Sequence, residues 1–195
     1  PAVRVYYDPR PGGVTEPWRE PDAERARLRV LEEMKKGPQF VVFNGHANHY
    51  QWASTVRSLP NPFLFGSNDI FELHNLEWLP IVLEMTCMTA QFVTVSTSGT
   101  TIDERFQRHD DGGAVAIWGS AGLTVLYGHE ALLRGFHQQL WGAPTAPRLG
   151  ELIEAGYLTL FQQQGCCQET RMVYLLLGDP LTTALINQQD QLFLP

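Results

Sequence analysis

Four short, continuous runs of apolar residues stand out along the chain, and each ends at glycine or a small polar residue. The runs cover positions 40–43, 80–85, 114–118 and 173–177. Apolar runs of this length without polar alternation are typical of strands that are buried on both faces of a parallel sheet. The pattern therefore predicts four buried strands.

Between these strands, apolar residues recur at helical spacing. Asp22 can cap a helix whose apolar positions are Ala26, Val30, Leu31 and Met34, and Gly37 can end it. Further helices are predicted near 101–109, 128–141 and 149–163. Buried strands that alternate with helices indicate an α/β fold with a doubly wound parallel sheet and helices on both of its faces.

Polar residues follow three of the predicted strands directly. His46 comes after the first strand, Cys87 after the second and Ser120 after the third. The C-terminal ends of parallel strands lie at one edge of a sheet, where such groups gather in a crevice. A thiol nucleophile needs a nearby imidazole to handle protons, and the two need not be close in sequence. His46 and Cys87 are therefore a candidate catalytic pair.

Placement at strand ends alone leaves other interpretations open. A buried cysteine is usually a small hydrophobic residue, and a lone histidine is usually a structural group. His46 and His49 could also supply two metal ligands, although the sequence offers no evident third one. From these residues alone, a structural pair, a metal-dependent hydrolase and a cysteine peptidase all remain open.

Composition and charge exclude several partners. The chain has 195 residues, of which 44% are hydrophobic and 18% charged, which suits one domain with a real core. A formal charge of −7 without a basic block argues against a nucleic-acid partner. No run approaches the about 20 apolar residues of a membrane span. Cys166 and Cys167 are adjacent, form no disulfide framework with the single remaining cysteine, and are interpreted as incidental.

Five sequence blocks, in order, resemble those of the gingipain-type cysteine peptidases. The two most informative are the strand–Gly–His block at 40–46 and the strand–Cys block at 80–87. The other three are Tyr7-Asp8-Pro9, the segment 113–117 and the segment 177–180. Each block is weak by itself, but an ordered set that spans nearly the whole chain is fairly specific.

The resemblance implies a caspase-like three-layer sandwich, with a mostly parallel sheet between helices, over residues 1–186, followed by a tail at 187–195. It also implies a cysteine endopeptidase that cleaves protein or peptide substrates through a thioester, with no cofactor and no metal. Cys87 would then be the nucleophile and His46 the proton donor to the leaving amine. The amides of Gly45 and Cys87 would form the oxyanion hole.

The resemblance also implies a substrate cleft and a partner. The wall of the cleft would begin at Trp118, Gly119 and Ser120 and continue to Leu126. The family's catalytic unit includes a part that precedes Val3, so the missing N-terminal part of the same precursor is an expected partner. The family further favours a secreted or cell-surface bacterial protein.

One residue departs from the family pattern. The family usually has glycine directly after the catalytic histidine, where this chain has Ala47. A methyl group there could crowd a site that needs close approach of the substrate. This departure motivates an alternative in another class, a catalytically inactive caspase-like module that binds or scaffolds a partner.

Overall fold

The computed structural model describes residues 2–12, 15–93, 100–163 and 166–185; the tail predicted at 187–195 lies outside them. The elements in chain order are β1 (Tyr6–Tyr7), β2 (Arg19–Glu20), α1 (Ala23–Lys35), β3 (Phe40–Asn44), β4 (Ala47–Asn48), β5 (Gln51–Ser54), β6 (Phe63–Gly66), a 3-10 turn (Asp69–Glu72), β7 (Ile81–Met85), α2 (Ile102–Arg108), β8 (Ala116–Ser120), α3 (Leu126–Gly142), α4 (Leu149–Gln162), α5 (Gln168–Val173) and β9 (Tyr174–Leu177). Among the helices of these ranges, none has the length and apolar character needed to cross a membrane.

The helix α1 shows how the sequence pattern produces local structure. The Asp22 side chain accepts a hydrogen bond from the Arg25 amide, which satisfies one of the free N–H groups of the first turn. Leu31 and Met34 are buried on its inner face. Gly37 follows the helix with φ +62°, and a Cβ there would lie 2.4 Å from the Cβ of Trp78. Only glycine fits at this turn, so the predicted helix and its end are both confirmed.

The central sheet has the strand order β3-β7-β8-β9. The pairs β3–β7 and β7–β8 are parallel, which confirms a mostly parallel sheet. The fully parallel arrangement predicted for four strands is wrong for β9, which pairs antiparallel with β8. The reason lies in the connection: the Ala121 amide donates to the carbonyl of Val173 at 2.8 Å, so α5 delivers the chain to the end of β8. From that edge, β9 can only run back along its neighbour.

Side chains of the sheet alternate between two cores, which gives three layers. Leu83 and Trp118 lie in a core with residues of α3 and α4. Val82 and Ile117 lie in a second core with residues of α1, α2, β5 and β6. Helices therefore cover both faces of the sheet, and the α/β sandwich is confirmed. The antiparallel sheet β4-β5-β6 was not predicted; it packs on the second face and begins directly after His46.

Two carboxyl groups are buried together in the second core. Glu84 and Asp103 are both fully buried, and the Trp52 indole donates to Glu84 at 2.8 Å. Burial raises the pKa of both carboxyls, and the nearby charge of Glu84 raises the pKa of Asp103 further. The pair therefore holds a proton at a pH at which exposed carboxyls have lost theirs.

This pair leads to a prediction about stability. The unfolded chain loses this proton near pH 4, whereas the folded chain retains it to higher pH, so the free energy of unfolding falls as the pH rises above about 4. Asp103→Asn should remove part of this fall, because an amide has no proton to lose in this range. Urea denaturation at pH 5 and pH 8 measures the slope. Asp110→Asn, at an exposed position, is the matched control, and a slope as steep in Asp103→Asn as in that control would contradict the prediction.

Candidate active site

His46 and Cys87 lie at the same edge of the sheet. They follow β3 and β7, which are parallel neighbours. Past the strands, the Thr86 hydroxyl donates to the carbonyl of Gly45 at 2.8 Å, across a sequence offset of 41 residues. The strand register has the same offset, since Phe40 pairs with Ile81. His46 and Cys87 are the next residues after this contact and have the same offset, so both leave the sheet at the same edge.

The chain turns sharply at Cys87. Met88, the next residue, has φ +66°, a left-handed conformation that is unfavourable for a residue with a Cβ. The turn is fixed by hydrogen bonds to the chain that follows β8, from the Met88 amide to the carbonyl of Gly122 at 3.1 Å and from the Ala90 amide to that of Ser120 at 3.0 Å. Backbone strain of this kind concentrates at functional sites. The turn leaves Cys87 half-buried.

The thiol of Cys87 contacts the loop between β8 and α3. The Thr124 amide donates to Sγ at 3.4 Å, and Sγ donates to the Thr124 carbonyl at 3.7 Å. The Thr124 hydroxyl oxygen lies 3.5 Å from Sγ and 2.6 Å from Nε2 of His129. Burial lowers the pKa of His129 to about 4. The surroundings of the thiol thus include a second, neutral histidine.

Thr124 falls within the predicted cleft wall, which continues to Leu126, but its contact with the thiol was not predicted, and His129 was not predicted as part of the site. Thr124 belongs to a loop, and the sequence pattern does not distinguish His129 from the other residues of a predicted helix. The only available signal was the histidine itself, on the buried side of a helix that follows the third strand. Thr124 contacts Cys87 across 37 residues of sequence, and His129 contacts Thr124, which no local pattern reveals.

His46 is exposed, and within the described ranges its ring makes no hydrogen bond. Its carbonyl accepts from the Ala53 amide at 2.7 Å, which ties the residue to β5. Ala47 begins β4, pairs with Trp52, and is not among the residues with positive φ. The backbone at Ala47 is therefore one that any residue adopts, and the alanine causes no strain there.

The oxyanion-hole prediction for Gly45 does not fit the structure. The Gly45 amide already donates to the carbonyl of Met85, at 3.4 Å, as a continuation of the β3–β7 pairing. The Cys87 amide has no acceptor among the described residues. Of the two predicted donors, only the Cys87 amide is therefore free to bind a substrate oxygen.

The first part of the predicted cleft wall is instead core. β8 extends to Ser120, so Trp118, Gly119 and Ser120 all lie inside the strand and are buried. Trp118 packs against the rings of Phe136, Tyr157 and Tyr174, with centroids 5.7–5.9 Å away. The Ser120 hydroxyl donates to the carbonyl of Gly122 at 2.9 Å. The cleft prediction failed here because an apolar run shows where a strand lies but not where its pairing ends.

Exposed apolar side chains begin further along, beside Thr124. Leu123, Leu126 and Tyr127 have exposed fractions of 72%, 63% and 71%. Leu123 and Leu126 belong to the part of the predicted wall that remains available to a ligand, and Tyr127 follows directly after it. The residues that follow Cys87 add Phe92 and Val93, which are also exposed.

The described residues do not supply the ligands that the metal-dependent hydrolase hypothesis needs beside His46 and His49. Nε2 of His49 is hydrogen-bonded to the side-chain oxygen of Gln91. Within residues 2–12, 15–93, 100–163 and 166–185, no group of three or more His, Cys, Asp or Glu side chains is placed to hold a metal ion. His46 and His49 therefore do not form part of such a group in the described chain.

Cys166 and Cys167, interpreted from sequence as incidental, are bonded to each other just before α5. Cys87 is the free cysteine of the described chain. A thiol reagent applied without a reductant therefore reports on Cys87, which simplifies any test of the site.

The chain is similar to a family and to solved structures. The family model described as peptidase family C25 matches residues 1–184. The fold matches the crystal structure of the Arg-specific cysteine proteinase gingipain R, with a TM-score of 0.69 and 16% identity over 85% of this chain and 37% of that one. It also matches the complex of the Porphyromonas gingivalis RgpB pro- and mature domains, with a TM-score of 0.68 and 16% identity over 85% and 38% of the two chains. No curated protein sequence is significantly similar.

These matches differ in what they cover. The family match extends over nearly the whole chain, whereas the chain spans less than two-fifths of the length of the solved structures. At 16% identity, the structural likeness shows a common fold.

Proposed function

Because the chain belongs to peptidase family C25, we propose that it is a cysteine endopeptidase in which Cys87 is the nucleophile and His46 the proton carrier. The observation that carries the proposal is the parallel pairing of β3 with β7, whose register ends at Asn44 and Met85, so that His46 and Cys87 follow the same edge of the sheet. The Cys87 amide, which has no acceptor among the described residues, and the left-handed backbone at Met88 support it.

The proposed reaction has two stages. The thiolate of Cys87 attacks the carbonyl carbon of the scissile peptide bond, and the oxygen that becomes negative accepts a hydrogen bond from the Cys87 amide. The C–N bond then breaks as the His46 imidazolium gives its proton to the leaving nitrogen, which leaves a thioester. In the second stage, His46 accepts a proton from water, the water attacks the thioester, and the Cys87 sulfur leaves.

Two histidines are candidates for the proton carrier, and their surroundings favour His46. A proton carrier works best with a pKa near the operating pH. His129 is buried and its pKa is lowered to about 4, so at neutral pH its ring is neutral and not the imidazolium that protonates a leaving amine. His46 is exposed at the mouth of the site, where it can reach both substrate and water.

Protein or peptide is the proposed substrate class. Leu123, Leu126 and Tyr127 have exposed apolar side chains on the segment around Thr124, which contacts the thiol, and they can contact the side chains of an extended peptide. We further propose that another part of the same precursor completes the cleft, because the matched gingipain chains are more than twice as long as the region they share with this one. Ala47, with its ordinary backbone, gives no structural support to the alternative of an inactive module.

Covalent labelling tests the proposed function. A peptidyl acyloxymethyl ketone should modify the full-length protein at Cys87, because only this cysteine combines a free thiol with a peptide cleft. Labelling should fall about 10²-fold or more in His46→Ala, since the imidazole no longer takes the thiol proton. Peptide mass spectrometry locates the adduct. An adduct at another residue, or labelling of His46→Ala at the wild-type rate, would contradict the proposal.

A further inference from the structure

Thr124 surrounds the thiol of Cys87 with three polar atoms. Its amide nitrogen, hydroxyl oxygen and carbonyl oxygen lie 3.4, 3.5 and 3.7 Å from Sγ. The Thr124 hydroxyl oxygen is also 3.1 Å from the carbonyl oxygen of Thr86 and 2.6 Å from Nε2 of His129. One threonine therefore connects the nucleophile to the end of β7 and to α3.

The protons in this network can be assigned from its acceptors. The Thr86 carbonyl can only accept, so the single hydroxyl proton of Thr124 is directed to it. Nε2 of His129 must then be the donor in its contact with the same hydroxyl oxygen. His129 is buried, and its ring edge packs on Tyr174 at 5.9 Å, so both its tautomer and its position are held.

Ionisation of the thiol changes the network without moving a heavy atom. The Sγ thiolate no longer donates and becomes a strong acceptor. The Thr124 amide already points at it, and the Thr124 hydroxyl can rotate its proton from the Thr86 carbonyl to Sγ. Nε2–H of His129 continues to donate to the hydroxyl oxygen during this rotation. The thiolate then accepts two hydrogen bonds from one residue.

We propose that Thr124 is a positioning residue that stabilises the thiolate of Cys87, and that His129 acts through Thr124 by holding its hydroxyl in place. The inference rests on the proposed function of Cys87 as a nucleophile. It assigns no proton transfer to His129. It differs from a purely structural link between β7 and α3 because it requires the hydroxyl group to respond to the charge on sulfur.

The other titratable groups around the thiol do not offer the same contact. His46 follows the end of β3, its ring makes no hydrogen bond to the described residues, and Tyr174 begins β9. The Tyr174 hydroxyl donates to the carbonyl of Glu84 at 3.0 Å, and burial raises the pKa of this tyrosine, so it stays neutral. The carboxyl group of Glu84 is directed to the opposite face of the sheet, where it accepts from Trp52. Tyr127 and Glu130 on α3 are exposed.

The pH dependence of alkylation tests the inference. The rate at which iodoacetamide modifies Cys87 in the full-length protein follows the thiolate fraction. In Thr124→Val, which keeps the shape and the amide but removes the hydroxyl, the midpoint should move to higher pH by about one to two units, since a hydrogen bond to a charged group is lost. Thr124→Ser keeps the hydroxyl and should stay near the wild-type midpoint.

Variants of His129 test the second half of the inference. His129→Leu should move the midpoint in the same direction as Thr124→Val but by less, because the hydroxyl remains and is only less well held. His129→Gln, which can place an amide N–H near the position of Nε2, should restore most of the wild-type behaviour. Urea denaturation of each variant shows whether it folds. If Thr124→Val or His129→Leu does not fold, the conservative variants Thr124→Ser and His129→Gln still provide midpoints to compare with the wild type.

The outcomes separate this inference from the proposed function. A wild-type midpoint in Thr124→Val would overturn it, and so would equal shifts in Thr124→Val and Thr124→Ser, which would indicate packing alone. The measurement needs no peptide cleavage. A protein that shows the predicted midpoints but cleaves no peptide would therefore retain the inference on Thr124 and overturn the peptidase proposal.

Discussion

Replacing Cys87 with alanine is expected to abolish peptide-bond cleavage while the fold remains intact. Removal of a catalytic nucleophile lowers kcat on the order of 10⁶-fold, because the remaining groups cannot form the covalent intermediate. The side chain is half-buried and its partners belong to one loop residue, Thr124, so the stability should change by only about 1 kcal/mol.

The measurement is digestion of a peptide library by the purified full-length protein and its variant, with urea denaturation of both. The matched control is the double variant Cys166→Ala/Cys167→Ala, whose side chains are bonded to each other and not to the site. This control should retain cleavage. Cleavage that persists in purified Cys87→Ala would mean that the nucleophile lies elsewhere in the protein.

The fold was largely predictable because its main elements are specified locally. A buried strand needs only a short apolar run, and α1 needs a capping Asp22 and a terminal Gly37. The general rule for parallel sheets then brings the ends of β3 and β7 together, and with them His46 and Cys87. The candidate pair could be found because both of its members follow strands directly.

The parts that could not be predicted depend on long-range pairing. β9 is antiparallel to β8 because α5 brings the chain to the C-terminal end of β8. The apolar run that predicts β9 carries no information about this position. The burial of Trp118 depends on how far β8 pairs with that same strand. His129 belongs to the site only because α3 packs over the end of β7. Tertiary contacts determine each of these three features, and the local sequence pattern would be the same if those contacts were different.

The same limit explains the error at Gly45. A glycine before a histidine at a strand end can offer its amide to a ligand or to the neighbouring strand. The sequence is identical in both cases, and the choice depends on whether the carbonyl of Met85 is within reach. It is within reach because Gly45 directly follows the last pair of the β3–β7 register, Asn44 with Met85.

Replacing His46 with alanine is expected to lower kcat/KM by about 10²- to 10⁴-fold, the usual contribution of general acid–base catalysis. The leaving nitrogen of an amide must be protonated, and the His129 ring is not an imidazolium at neutral pH because its pKa is lowered to about 4. His49→Ala is the matched control, because this histidine lies three residues away and contacts Gln91. It should lower kcat/KM less than tenfold.

Ala47→Gly, at an ordinary backbone position beside His46, should change activity little. Steady-state kinetics on one fluorogenic peptide, identified by the library digest, compares all three variants.

Equal losses in His46→Ala and His49→Ala would point to disruption of the segment that carries both residues. Wild-type kcat/KM in His46→Ala would remove this residue from the mechanism, and a large loss in His129→Leu in the same assay would then make His129, through Thr124, the histidine that serves Cys87.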